Sequence, residues 1–134
     1  MRTLVIETDH LLEANLEWLH SQTLEWMRET DFWKDEAVFF YNLLRRKDVN
    51  RAFPARELAD LENELLCISG QDITDLKLSL RQHEELLKLL LLRAPGELEI
   101  EYRQRHHEIM VDMASLEKRI REYKKQVFDY VKQV

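Results

Sequence analysis

Two glycines and two prolines are all that this chain of 134 residues offers for turning. A sheet needs a turn every few residues, and turns draw on residues that reach positive φ or arrive with φ already fixed. Pro54, Gly70 and the pair Pro95-Gly96 instead separate long unbroken stretches in which Leu, Glu, Lys and Arg dominate. Those residues favour helix on intrinsic propensity. The expected fold is all-α, an antiparallel bundle of three long helices, in a single domain covering 1–134 that is long enough to bury one core.

Apolar spacing locates the helices. The first is expected over about 8–47, with a seam of Leu12, Leu16, Leu19, Thr23, Trp26, Thr30, Trp33, Ala37, Phe40 and Leu44 spaced alternately four and three. That is the heptad pattern of a coiled coil. Thr30-Asp31 is a candidate break, but the seam crosses it in phase. The second helix is expected over about 54–93, starting at a proline, which a first turn tolerates, and stopping before Ala94-Pro95-Gly96. Its seam reads Glu62, Leu66, Ser69, Ile73, Leu76, Leu80, His83, Leu87 and Leu90. Ser69-Gly70 is its weak point: Ser69 is able to cap a fresh helix there, giving four helices, whereas a register carried across the glycine gives one. The third helix is expected over about 97–134, on Tyr102, His106, Ile109, Met113, Leu116, Ile120, Tyr123, Val127, Tyr130 and Val134. At about 1.5 Å per residue each helix is roughly 55 Å long, and short connections make sequential neighbours antiparallel.

Composition excludes several function classes. A net charge of −6 opposes nonspecific nucleic-acid binding, which rests on a basic surface. The locally basic run from Glu117 to Lys132 suits a helix C-terminus, with an acidic docking partner as the alternative. Cys67 is the only cysteine, so neither an internal disulfide nor a thiolate metal cluster is available. Leu4-Val5-Ile6 is too short for a signal peptide, and Leu86 to Leu92, broken by Lys88, is too short to cross a membrane. A cytoplasmic protein is the expectation by default. Gly-rich phosphate loops, nucleophile elbows and Cys–His pairs are missing, so no catalytic residue is expected.

Polar residues on apolar seams are the informative departures, because a buried polar group without a partner costs about 1–3 kcal/mol. Thr23, Thr30 and Ser69 are cheap, since a hydroxyl bonds a carbonyl one turn back. Glu62, His83 and His106 are not. Counting from the turns puts His83 nine residues before Leu92 and His106 nine residues after Glu97. His20, on the first helix, falls at the same height, with His107 adjoining and Glu17 and Glu84 near the edge. Three imidazoles from three helices, His20, His83 and His106, form a candidate site for zinc or another divalent transition metal with an open position. The competing reading is a structural polar layer in which imidazoles bond one another and fix the register. Glu17 and His20 match one Glu-x-x-His element of di-iron bundles, but such sites need a second copy and further carboxylates.

Trp26, Glu29, Phe32, the run Trp33-Lys34-Asp35-Glu36, His83-Glu84, His106 and Leu116-Glu117-Lys118 together resemble a group of small uncharacterised bacterial helical-bundle proteins. Those proteins usually carry a histidine one turn before the tryptophan, where Thr23 stands here and His20 lies one turn earlier. The resemblance implies the helical fold and brings no activity with it.

Apolar residues beside the main seams complete the expectation. Phe32, Phe39 and Leu43 flank that of the first helix, and Leu58, Leu61, Leu65 and Ile68 that of the second. Either the first two helices have unusually wide buried faces, or this stripe is a self-association surface, which points to a homodimer or a helical protein partner. A non-enzymatic protein acting through association is the leading functional expectation, with a metal-binding bundle as the alternative.

Overall fold

Asn15 stands in an extended conformation, and its side-chain oxygen accepts the backbone N–H of Trp18 at 2.7 Å. This N-cap satisfies one of the donors that a helix start leaves orphaned. The helix that runs through the described residues of this segment therefore begins at Leu16. The computed structural model describes residues 15–46, 55–93 and 96–132. The expected seam residue Leu12 and the ends Thr8, Lys47, Pro54 and Val134 lie outside them.

Helix α1 spans Leu16–Leu44, α2 Ala55–Cys67, α3 Ile73–Leu92 and α4 Glu97–Val131, and a π-helical turn, Ile68–Asp72, joins α2 to α3. No strand occurs among the described residues. Gly96, with φ of 156°, adopts a backbone that L side chains rarely take, immediately before α4.

The π-helical turn decides between one helix and two. Cys67, Asp72 and Ile73 keep right-handed helical angles, and the Ile73 amide donates to the Ile68 carbonyl five residues back. The chain stays helical across Gly70 but takes one residue too many to do so. Ser69 does not cap a new helix; its hydroxyl donates back to the Leu65 carbonyl at 2.8 Å. The extra residue corrects the expected seam. Buried positions run Leu61, Leu65, Ile68, then Ile73, Leu76 and Leu80, so the spacing reads four, three, five, three, four. Leu66, expected inside, is 62% exposed, and Glu62 is not fully buried. What looked like a second stripe on α2 is its core face.

Contacts between helices set the topology. Asp31 of α1 pairs with Lys77, and His20 with Glu84, so α1 and α3 run antiparallel. Arg119 of α4 holds Glu64 and Asp72, the Tyr123 hydroxyl donates to the Leu61 carbonyl, and His106 meets His83, so α4 is antiparallel to α2 and α3. Gln22 with His106 and Glu36 with Lys124 make α1 and α4 parallel. The fold is an all-α antiparallel bundle. No helix of the described residues is long and apolar enough to cross a membrane.

Apolar side chains collect in two clusters. The larger includes Trp26, Trp33, Phe40, Leu65, Ile73, Met113, Ile120 and Tyr123. A smaller one near the α3–α4 connection holds Leu19, Leu86, Leu87, Leu90 and Tyr102. Between them lie two histidines.

Candidate functional site

His83 and His106 occupy core positions of α3 and α4 because they fall on the same periodic stripe as their apolar neighbours. Both are 0% exposed. His106 Nε2 lies 2.7 Å from Oε1 of Gln22, and His106 Nδ1 lies 3.0 Å from His83 Nε2. A carbonyl oxygen only accepts, so His106 carries its proton on Nε2 and its Nδ1 is a lone pair. That lone pair in turn requires a proton on His83 Nε2. The chain of bonds ends at His83 Nδ1, a buried acceptor with no partner.

Aromatic rings enclose the pair. Tyr102 stacks on His83 with centroids 4.1 Å apart and planes within 1°. Trp26 lies 4.6 Å from His106. Burial, with Arg105 adding to it, pushes His83 down to about 4. His106 is pushed down to about 3 by burial, then by His83 and Arg103. Both imidazoles are therefore neutral near pH 7. Burial also pushes the Tyr102 hydroxyl up to about 12, while the nearby Thr23 side chain pulls the other way. That hydroxyl is buried without a partner in hydrogen-bonding geometry. The threonines of the α1 seam behave as expected: Thr23 donates to the Leu19 carbonyl at 3.0 Å and Thr30 to that of Met27 at 2.9 Å.

Of the three candidate metal ligands, the fold joins His83 to His106 and turns His20 elsewhere. His20 Nε2 lies 2.9 Å from Oε2 of Glu84, at the edge of the same layer. Counting residues placed the three imidazoles at one height correctly, but only two of them touch. Both nitrogens of His106 are engaged, which leaves His83 Nδ1 as the one free lone pair within the touching pair. No group of three or more His, Cys, Asp or Glu side chains among the described residues is arranged to hold a metal ion. Gln22 and the stacking of Tyr102 on His83 were missed. Gln22 follows His20 by two residues and flanks the seam, a position that signals proximity without signalling its partner.

A second departure lies on the outside. Phe32 is 60% exposed and Phe39 57%, seven residues apart on one face of α1. Phe128 of α4 is 44% exposed, and Phe40 beneath it is buried. Phe39 and Phe128 both pack edge-on against that buried ring, at 5.4 Å and 5.6 Å. The Glu36–Lys124 pair, at 3.0 Å, ties α1 to α4 at a level between Phe32 and Phe39.

Comparison with protein-family models, with curated proteins and with solved structures finds no match.

Proposed function

We propose that this protein is a non-enzymatic association module that joins a second copy of itself through the outer face of α1. The exposure of Phe32 and Phe39 is the observation that carries this reading. Isolated apolar residues on a surface need no explanation, but a contiguous patch rimmed by charge favours burial against another surface. Here Phe39 of α1 and Phe128 of α4, both exposed, pack on the same buried Phe40 ring. The buried histidines fit the same reading, because the bond from His106 Nε2 to Gln22 Oε1 tolerates little sliding and so holds α1 and α4 in register.

Sedimentation velocity over a wide concentration range tests it. The wild type should move from the chain mass of 16.3 kDa toward twice that value as concentration rises. Phe32→Ser/Phe39→Ser should remain at the monomer mass with unchanged helicity. A wild type that stays monomeric throughout overturns the reading.

A further inference from the structure

Lys77 and Arg81 are four residues apart on α3, with Thr74 one turn before them, so all three share a helix face. Asp31 and Lys34 stand one turn apart on α1. The Asp31–Lys77 ion pair, at 2.5 Å, brings the two faces together. Between them lies a groove of about 270 Å³, with the buried Thr30 and Leu80 and the half-buried Met27 at its floor. Neither Phe32 nor Phe39 lines it. We infer that this groove binds a small anion carrying two linked phosphoryl groups, with Lys34, Lys77 and Arg81 supplying the charge.

Three cations face one carboxylate there, in a chain whose net charge is −6. The two grooves that involve Arg119 are lined the opposite way. Asp72, Asp75 and Asp112 surround that guanidinium in one, and Glu57, Asp60, Glu64 and Glu122 in the other. An excess of cations is thus not a property of the surface at large. Asp31 answers Lys77, but neither Lys34 nor Arg81 forms an ion pair with any described residue. Glu85, one turn beyond Arg81, is held by Lys88 at 3.1 Å instead. A cleft lined by one sign of charge concentrates ions of the other.

Spacing favours a ligand with two anionic groups. Lys34 is three residues past Asp31, and Arg81 four past Lys77, on helices that run in opposite directions. Their backbones are therefore about 10 Å apart along the bundle, on either side of Lys77. Two linked phosphoryl groups, each taking one outer cation and sharing Lys77, suit that spread better than a single phosphate. Lysine holds phosphate as a point charge, and arginine holds it through paired N–H donors. The exposed Thr74 hydroxyl, which donates to the Ser69 carbonyl over 3.3 Å, is able to turn to the anion. The Thr30 hydroxyl is committed to the Met27 carbonyl and adds nothing. Asp31 is the opposing group. It occupies Lys77 in the free protein, so an anion has to displace it.

Isothermal titration calorimetry with inorganic diphosphate tests the site. The wild type should bind it more tightly than orthophosphate. Lys34→Ala/Arg81→Ala should bind diphosphate about tenfold or more weakly than wild type. Both side chains are exposed and unpaired, so the variant should keep its fold, which circular dichroism checks. Asp31→Asn should bind several-fold more tightly, because it frees Lys77 and removes the competing carboxylate. A generic attraction between surface cations and phosphate would respond equally to Lys118→Ala/Lys125→Ala on α4; that variant should bind as the wild type does. Phe32→Ser/Phe39→Ser should also bind unchanged, whatever its oligomeric state. Diphosphate bound no more tightly than orthophosphate, or equally well by Lys34→Ala/Arg81→Ala, overturns the site. So does an Asp31→Asn variant that gains no affinity.

Discussion

The histidine layer and the π-helical turn break the heptad pattern in opposite ways. His83 and His106 keep the phase and change the chemistry: polar rings stand where Leu and Ile stand elsewhere. The turn at Ile68–Asp72 keeps the chemistry and changes the phase: Leu61, Leu65, Ile68 and Ile73 are all apolar, yet one step between them is five residues long. A polar residue in phase is visible in a list of seam positions. A phase slip is not, because apolar residues are abundant enough on α2 for a wrong stripe to look complete. The energetic consequences differ as well. The layer puts titratable groups where water does not reach, whereas the turn rearranges backbone bonds at an exposed glycine.

Acid should separate the two regions most strongly. Both imidazoles bind protons in the unfolded chain near pH 6.5 and in the folded protein only near 4 and 3. Their folded pKa values are depressed and the neutral form is the folded one. The unfolded state thus binds more protons between about pH 6.5 and 4, and stability falls as pH drops through that window. At about 1.4 kcal/mol per proton per pH unit, two histidines lose roughly 2.7 kcal/mol for each unit. Glu29, whose carboxyl is raised, works weakly the other way. Denaturant unfolding at a series of pH values should show this slope in the wild type and a much flatter line in His83→Leu/His106→Leu. Equal slopes would mean that the layer is not what acid attacks.

Next in size is the difference between removing one imidazole and removing both. His106→Leu leaves the His83 Nε2–H without an acceptor in the core and frees Gln22, which is only partly buried and is able to turn outward. A buried polar group stranded in this way costs about 1–3 kcal/mol. His83→Leu/His106→Leu strands nothing on the histidines and replaces two rings by apolar side chains, a change that is often close to neutral. The double variant should therefore be more stable than His106→Leu at pH 7 in urea titration. A double variant less stable than the single one would show that the imidazole pair contributes net stability of its own.

How much of this was legible follows from what each inference summed over. The buried faces of α1 and α4 match their expected seams because each rests on many periodic positions, from Leu19 to Leu44 and from Tyr102 to Val127. The α3 seam held too, with Leu86 as an additional buried residue. On α2 the seam was placed one residue late, since the phase was carried backward from Ile73 through a turn whose fifth residue nothing in the spacing announces. The histidine layer was legible as a height and not as a set of partners. That His106 bonds Gln22 and His83, while His20 turns to Glu84, depends on rotamers and on the rotation of each helix about its axis. Those are settled by the packing of all three helices together.

The smallest expected effect is the one that tests the turn. If the residue accommodated at Ile68–Asp72 is an insertion into an otherwise regular heptad, removing Gly70 restores it. Buried positions then follow at four, three, four and three from Leu61 onward, and the five-residue bond from Ile73 to Ile68 becomes an ordinary four-residue one. Nothing lies within 4 Å of a Cβ added at Gly70, and the residue is exposed, so no contact in the fold requires glycine there. Glycine inside a helix is worth about 0.5–1 kcal/mol less than alanine. Deleting Gly70 should leave the protein folded and within about 1 kcal/mol of wild type, on the more stable side. Deleting the exposed Leu78 from α3 is the control, because it rotates His83, Leu87 and Leu90 away from the core and should unfold the bundle. Thermal melts of the two deletions decide between a phase slip that the fold merely accommodates and one that it requires. Loss of folding on removing Gly70 would place the π-helical turn among the features that hold the bundle together, on a par with the histidines.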